Sequence, residues 1–159
     1  MSNGFMLDTN VLSELMREKP SVAVLNWFAQ NTGSVMHTCT VTQAEILTGI
    51  ALLPAGKRRT ALALAAEQLF EQDFANHCHA FDAAAAKNYA LIVSERSRHG
   101  QPISTEDAQI AATALANGLI VATRNTADFE NIDALLLVNP WQSTNAPGSQ
   151  AGVSSSGSL

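Results

Sequence analysis

Four carboxylates stand in stretches of the sequence that are otherwise almost uncharged. They are Asp8, Glu45, Asp107 and Asp128. Glu45, for example, is the only Asp, Glu, Lys or Arg between Lys19 and Lys57. An ionised carboxylate in apolar surroundings is costly unless it is paired or bound to a metal. Several of them at one place would also repel one another, and a divalent cation removes both costs.

The chemistry of such a site follows from its donor atoms. Carboxylate oxygens are hard ligands, which favour Mg²⁺ or Mn²⁺ over zinc. A metal held in this way can activate a water and stabilise the leaving oxygen during phosphodiester cleavage. Two metals about 3.5–4 Å apart would share these tasks. No serine, cysteine or histidine nucleophile is required, and the sequence is compatible with one metal or two.

Each acid taken alone also has an ordinary structural interpretation. Asp8 could cap a helix, and Glu45 could be a solvated residue of a helix. Asp107, with Glu106 before it, could complement a helix dipole. Asp128 could cap a turn. The combination, in this order along one chain, predicts a common site.

The elements that must position these acids are short apolar runs that alternate with segments of helical periodicity. Strands are predicted at 4–7, 34–38, 77–81, 119–122 and 133–138, and helices at 11–17, 20–30, 40–53, 57–73, 82–99 and 106–117. The predicted helix caps are Asp8, Thr40 or Thr42, Asp82 and Thr105, with Gly118 as a helix stop.

This alternation predicts an α/β fold with a mainly parallel sheet. In such sheets, sites form at the carboxyl ends of strands where the strand order reverses. Asp8 and the segment Thr123-Arg124-Asn125 each follow a predicted strand. We therefore expect both to lie at that edge.

Length and charge narrow the class of protein. The 159 residues, 47% of them apolar, suit one domain with one core. The net charge of −5 is unfavourable for a nucleic-acid binder, although two bound Mg²⁺ would change it to −1. The basic residues are also clustered: Arg17 and Lys19; Lys57, Arg58 and Arg59; Arg96 and Arg98; and Arg124.

Composition divides the chain in two. Residues 1–142 are expected to form the folded domain, and residues 143–159, which lack charge and are rich in Ser and Gly, a disordered tail. Cys39 and Cys78 have neither zinc-site nor disulfide spacing, so reduced thiols are expected. No apolar run approaches about 18 residues, and no signal peptide is recognised. A cytoplasmic protein is expected.

The blocks around these acids resemble a known family. They span residues 5–14, 41–49, 104–114, 121–129 and 139–141, in order, and the resemblance covers about residues 4–141. The chain is similar to PIN-domain ribonucleases, specifically the toxins of VapBC-type toxin–antitoxin modules. The closing Asn139-Pro140-Trp141 resembles the FitB-like branch of that group.

The resemblance implies a three-layer α/β/α sandwich with endonuclease activity on RNA that depends on Mg²⁺ or Mn²⁺. It assigns Asp8, Glu45 and Asp107 as metal-binding catalytic acids. The fourth acidic position varies in the family. Here Asp128 or Asn125 could fill it, and Asp128 is preferred because it is ionisable.

The resemblance also implies supporting residues. Thr9, Asn10 and Thr123 would orient carboxylates or waters, and Arg124 would contact phosphate. One departure from the family pattern is Glu106, which adds a charge directly before Asp107; the sequence leaves open whether it faces the site.

The implied partners are a second copy of the chain and a cognate DNA-binding antitoxin. The antitoxin would lay a helical segment along a groove of the toxin and place a basic side chain among the acids. The substrate could be transfer, ribosomal or messenger RNA, because specificity depends on the shape of the groove around the site.

Three other functions are less compatible with the sequence. A haloacid-dehalogenase-like phosphatase also uses an Asp after its first strand, but needs a second Asp two residues on, where this chain has Asn10. A receiver domain needs an acidic pair that is absent here. A degenerate PIN domain that only binds is disfavoured, because three acids occupy the matching positions.

Overall fold

The computed structural model describes residues 4–142, so the predicted tail at 143–159 lies outside the described residues. The strands are β1 (Phe5–Leu7), β2 (Met36–Cys39), β3 (Cys78–His79), β4 (Ile120–Ala122) and β5 (Leu137–Val138). The helices are α1 (Thr9–Leu15), α2 (Val22–Gln30), α3 (Thr40–Ala51), α4 (Lys57–Gln68), α5 (Ala83–Arg98) and α6 (Thr105–Ala116). A π-helical turn at Leu69–Asp73 and a 3₁₀ turn at Thr126–Phe129 complete the architecture.

The five strands form one sheet in the order β3-β2-β1-β4-β5, and every pairing is parallel. The chain starts at the centre of the sheet, builds outward through β2 and β3, and then crosses to the other side of β1. The strand order therefore reverses between β1 and β4. Such a reversal leaves a crevice at the carboxyl ends of the two strands, where Asp8 and Thr123 follow β1 and β4.

Helices cover both faces of the sheet, as expected when parallel strands are fully buried. Side chains alternate along β1, so Phe5 and Leu7 pack with α1 to α4 on one face. Met6 packs with α5 and α6 on the other. The predicted three-layer α/β/α sandwich is thus confirmed.

Helix α6 packs closely against the sheet because the side chains it buries are small. Four of its alanines are fully buried: Ala108, Ala111, Ala112 and Ala114. Ala has the highest helix propensity and needs little space. The first turn of α6, which carries Asp107, is thereby held against the crevice.

Several predicted boundaries are wrong in detail. Ser104, rather than Thr105, caps α6, and its hydroxyl accepts a hydrogen bond from the Asp107 amide at 3.1 Å. No side chain caps α3, which Cys39 precedes, so neither Thr40 nor Thr42 is the cap. The single helix predicted at 57–73 ends as an α-helix at Gln68 and continues as the π-helical turn.

Gly4 is required by a close approach of two strands. Its φ is +130°, and a Cβ added there would lie 2.0 Å from the carbonyl oxygen of Val35. We expect Gly4→Ala to lower the free energy of unfolding by more than about 1 kcal/mol, measured by urea denaturation. Gly49→Ala in α3 is the matched control, because a Cβ there meets nothing within 4 Å. It should stabilise the chain by about 0.5–1 kcal/mol, and equal effects of the two substitutions would contradict this account.

Within residues 4–142, none of the helices is both long enough and apolar enough to cross a membrane.

Candidate active site

Asp8 lies at the junction of β1 and α1, where the strand ends in the crevice. It is the N-cap of α1, and its Oδ1 accepts a hydrogen bond from the Thr9 amide at 2.8 Å. Its own amide is tied to β4 through the Ala122 carbonyl at 2.9 Å. The residue is only 5% exposed. The cap interpretation of Asp8 is therefore correct, and its second oxygen, Oδ2, which the cap does not use, accepts a hydrogen bond from Asn10 Nδ2 at 3.3 Å.

Thr123, fully buried after β4, fixes the direction of that second oxygen. Its hydroxyl lies 2.8 Å from Asp8 Oδ2, 3.3 Å from Asn10 Nδ2 and 3.1 Å from the Asn125 amide. The last two groups are donors, so the hydroxyl accepts from both and has one proton left, which it donates to Asp8. The network thus requires an acceptor at Asp8 Oδ2.

Glu45 reaches the crevice from α3 and is oriented by Thr9. The Thr9 hydroxyl lies 3.1 Å from Glu45 Oε1 and 3.1 Å from the Thr42 hydroxyl. Since Thr9 has one proton and a carboxylate only accepts, Thr9 donates to Glu45 and accepts from Thr42. Thr9 therefore links the end of β1 to α3.

Asp107 and Asp128 approach the crevice from two further elements. Asp107 is half-buried in the first turn of α6, and Asp128 is exposed on the 3₁₀ turn after β4. The charge of Asp128 acts on both Asp8 and Asp107, and the charge of Asp8 acts on Asp107 and Glu45. The structure thus links the four predicted acids electrostatically, with Asp8 and Asp107 between Glu45 and Asp128.

The pKa values of three of these carboxyl groups are raised. Burial is the main cause for Asp8, whose hydrogen bonds from Thr123 and the Thr9 amide act in the opposite direction. Burial also raises the pKa of Asp107, and the neighbouring charge of Asp8 adds to it. Glu45 has a raised pKa for the same two reasons, burial first. Ionising the cluster is therefore unfavourable without a cation.

Glu106 belongs to the same electrostatic cluster, which the sequence had left open. Its charge raises the pKa values of both Glu45 and Asp107. Glu106 and Glu45 also line a common groove between α3 and α6. The departure from the family pattern therefore adds a fifth negative charge beside the four predicted acids.

The donor chemistry of the cluster fits a hard divalent cation, because every acidic donor is a carboxylate oxygen. The spacing is more open than that of a closed metal cage. Between residues 4 and 142, no three Asp, Glu, His or Cys side chains are grouped closely enough to hold a metal as they stand. Binding would therefore draw the carboxylates together.

The rim of the crevice carries the remaining predicted residues. The Arg124 amide donates to Asn10 Oδ1 at 3.2 Å, and the Arg124 guanidinium lies 5.0 Å from the centre of the Trp141 ring. Asn139 Nδ2 donates to the Arg124 carbonyl at 3.3 Å. Asn125 contributes its amide to Thr123, while its side chain is exposed. The backbone of Arg124 is thus fixed at the rim, while its guanidinium lies over Trp141 and its charge acts on Glu14.

Sequence reasoning missed two positioning residues at the site. Thr42 is fully buried and completes the chain of hydroxyls to Glu45. Asn139 was noted only as part of a closing motif, although it fixes the backbone of Arg124. A threonine three residues before Glu45, on the same side of a helix, was the available signal for Thr42.

The family model of the PIN domain matches residues 5–135, which is most of the chain. The chain belongs to the PIN-domain family. Members of this family are typically metal-dependent nucleases, in keeping with the carboxylate donors of the site.

Two relatives of this PIN domain are similar over nearly their whole length. The VapC ribonuclease Y4jK of Sinorhizobium fredii is 39% identical over 137 residues, covering 86% of this chain and 97% of the relative. The toxin FitB of Neisseria gonorrhoeae is 38% identical over 136 residues, covering 86% and 97%. A solved structure of FitAB bound to an IR36 DNA fragment superposes with a TM-score of 0.80. It is 37% identical, covering 87% of this chain and 96% of that chain.

Proposed function

We propose that this chain is a metal-dependent endoribonuclease that acts as the toxin of a toxin–antitoxin pair. The observation that supports the proposal is the buried Asp8 at the crevice between β1 and β4, with whose charge Glu45, Asp107 and Asp128 interact. A ribonuclease and a toxin among its relatives support the same activity.

The proposed site binds Mg²⁺, or Mn²⁺ in its place, through Asp8, Glu45 and Asp107. When bound, the cation supplies Lewis-acid stabilisation of a phosphodiester oxygen and an activated water. The chain's own residues orient the carboxylates. Thr123 aims Asp8 Oδ2 into the crevice, Thr9 aims Glu45, and Asp128 adds a further acceptor at the open side.

Arg124 is the residue proposed to contact RNA. Arg124 is exposed on the rim of an acidic crevice that alone would repel a phosphate backbone. The backbone contacts to Asn10 and Asn139 and the face of the Trp141 ring hold it there. A phosphate bound by Arg124 would place the adjacent phosphodiester near the acids.

The proposed activity is tested with the purified chain, free of any antitoxin. A panel of transfer, ribosomal and messenger RNAs is incubated with Mg²⁺ or Mn²⁺, with and without EDTA. Cleavage at defined positions that EDTA stops is expected. If no RNA of the panel is cut under any metal condition, the proposed function is wrong and a non-catalytic binding domain is favoured.

Removing the Thr123 hydroxyl should weaken activity without unfolding the domain. We expect Thr123→Val to lower kcat by about 10- to 100-fold, since it removes the donor that orients Asp8 Oδ2. Thr123→Ser keeps the hydroxyl and should retain most of the activity. The check is a single-turnover cleavage assay of both variants. Equal activity of Thr123→Val and the unmodified chain would contradict the orienting role.

The proposed partner is an antitoxin that binds in the groove between α3 and α6. The groove is lined by apolar and acidic side chains, among them Val41, Leu52, Glu45 and Glu106, and Leu52 is 80% exposed. A helix with an apolar face and a basic side chain would fit both features. A homodimer, to be measured by analytical ultracentrifugation, is part of the same proposal.

The toxin role is tested in bacterial cells. Expression of the chain alone should arrest growth. Co-expression of a short reading frame directly upstream of its gene should restore growth. Unimpaired growth on expression of an active ribonuclease would contradict the toxin role and leave the enzymatic proposal standing.

A further inference from the structure

Arg96 is a buried arginine that forms no ion pair with a carboxylate in the described part of the chain, residues 4–142. It lies near the end of α5 and is 7% exposed. The ion pair found in residues 4–142 joins Arg17 to Glu14 and does not involve Arg96. Burying a guanidinium without a carboxylate partner is expensive. The position therefore calls for a specific reason.

The guanidinium of Arg96 binds the backbone of the segment that carries Asp128. Its Nη2 donates to the Asp128 carbonyl at 3.3 Å, and its Nη1 donates to the Glu130 carbonyl. The planar fork of arginine can reach two such carbonyls at once, which a lysine ammonium cannot do in the same rigid way. Arg96 thus hydrogen-bonds the backbone on both sides of Phe129, at the end of the 3₁₀ turn.

Two further contacts restrain the same segment. Phe129, at 1% exposure, is packed into the core formed with α5 and α6. Beyond α5, Gln101 accepts a hydrogen bond from Asn131 Nδ2 at 3.0 Å, and its amide donates to the Arg96 carbonyl at 2.8 Å. Arg96 and Gln101 therefore hydrogen-bond three neighbouring residues, Asp128, Glu130 and Asn131.

At its other end, the segment is already tied to the site. The Asp128 amide donates to the Asn125 carbonyl at 3.0 Å, and the Asn125 amide donates to Thr123 at 3.1 Å. The exposed carboxylate of Asp128 acts electrostatically on Asp8 and Asp107. With its backbone fixed on the α5 side, the Asp128 side chain is directed to the crevice.

We propose that Arg96 is a positioning residue that holds Asp128 at the acidic site by binding the carbonyls of Asp128 and Glu130. This inference rests on the proposed nuclease function. It concerns a residue that is not itself one of the acids and that acts through the backbone carbonyls of Asp128 and Glu130.

The first test measures the segment directly, by amide hydrogen exchange under native conditions. Arg96→Met keeps the length and apolar character of the stem and removes both donors. We expect exchange of the amides in residues 126–130 to accelerate at least about tenfold, while exchange in the core of α6 stays unchanged. Arg98→Met, an exposed arginine on the same helix, is the matched control and should change neither. Unaltered exchange in 126–130 would overturn the proposal.

The second test is a double-mutant cycle with Asp128→Asn. In the unmodified chain, Arg96→Met should lower kcat about 10- to 100-fold with KM nearly unchanged, because a displaced group misaligns the reaction. In the Asp128→Asn chain, Arg96→Met should lower kcat by less than about a further twofold if Arg96 acts through Asp128. Equal losses in both backgrounds would overturn the proposal, because Arg96 would then act by another route.

Arg96→Lys keeps the test decisive if Arg96→Met does not fold. It retains the charge but not the fork, so intermediate exchange and intermediate kcat are expected. Activity and exchange equal to those of the unmodified chain would count against the proposal. If the unmodified chain cleaves no RNA, the proposed function fails by itself. The exchange measurement then decides whether Arg96 holds the segment.

Discussion

Asp8→Asn should abolish metal-dependent RNA cleavage while leaving the domain folded. Removing a residue that hydrogen-bonds a metal ligand typically lowers activity or metal affinity by about 10- to 100-fold. Removing the charge of the ligand itself should therefore lower activity by at least about 100-fold. The hydrogen-bond network adds to the loss. The Thr123 hydroxyl already accepts from Asn10 and Asn125, so its proton needs an acceptor at position 8. An asparagine can present its Oδ1 to the Thr9 amide or to Thr123, but not to both in the observed geometry.

The measurement is a single-turnover cleavage assay with Mg²⁺ or Mn²⁺, accompanied by circular dichroism to show that the fold is retained. Asp133→Asn, an exposed acid outside the crevice, is the matched control and should keep full activity. Because Asp8→Asn is purified in the same way as the unmodified chain, metal-independent cleavage in its sample reveals contaminating ribonuclease. Cleavage by Asp8→Asn at the unmodified rate would remove Asp8 from the catalytic site.

The site shows which parts of the structure local sequence patterns can predict. Asp8 sits between an apolar strand and a helix, and both elements are short-range patterns that survive in the fold. The crevice follows from alternating elements, because parallel sheets place strand ends at one edge. The convergence of Asp8 with Thr123 was therefore predictable in outline. The five strands were placed correctly along the chain, although each is shorter than predicted.

What could not be predicted depends on contacts between distant residues. Nothing local to Arg96 marks it as buried, since its partners are backbone carbonyls that lie 32 and 34 residues away. The proton direction in the Thr9 and Thr123 networks likewise requires knowing which donors surround each hydroxyl. Ser104 and Thr105 are both common N-cap residue types. Only the geometry of the loop before α6 selects Ser104.

The acids that are proposed to make the site active should also make the metal-free chain less stable. The pKa values of Asp8, Glu45 and Asp107 are raised, so the folded state holds protons more tightly than the unfolded state does. For raised carboxyl pKa values, stability is greatest below the unfolded values and is lost as pH rises through the folded ones. The penalty therefore develops as the pH rises above the ordinary carboxyl values of 3.8 and 4.5. His79, whose pKa is lowered, acts in the opposite sense, destabilising the fold as pH falls below its ordinary value of 6.5.

Asp107→Asn should consequently raise the Tm of the metal-free chain at pH 7.5, by about 2–8 °C for each kcal/mol of relieved repulsion. The gain should shrink as the pH falls toward the ordinary Asp value of 3.8, because the raised pKa of Asp107 lets the folded chain take up this proton first. His79 is present in both proteins, so its contribution cancels in the comparison.

With Mn²⁺ the order of the two Tm values should reverse, so that the unmodified chain is the more stable. A ligand at a hundred times its Kd stabilises the unmodified chain by about 2.7 kcal/mol, and the variant, lacking one donor, should gain much less. Differential scanning fluorimetry of both proteins across pH, with and without Mn²⁺, measures these Tm values. A variant that is less stable without metal at pH 7.5, or that gains as much from Mn²⁺ as the unmodified chain, would show that Asp107 is a structural carboxylate and not a metal ligand.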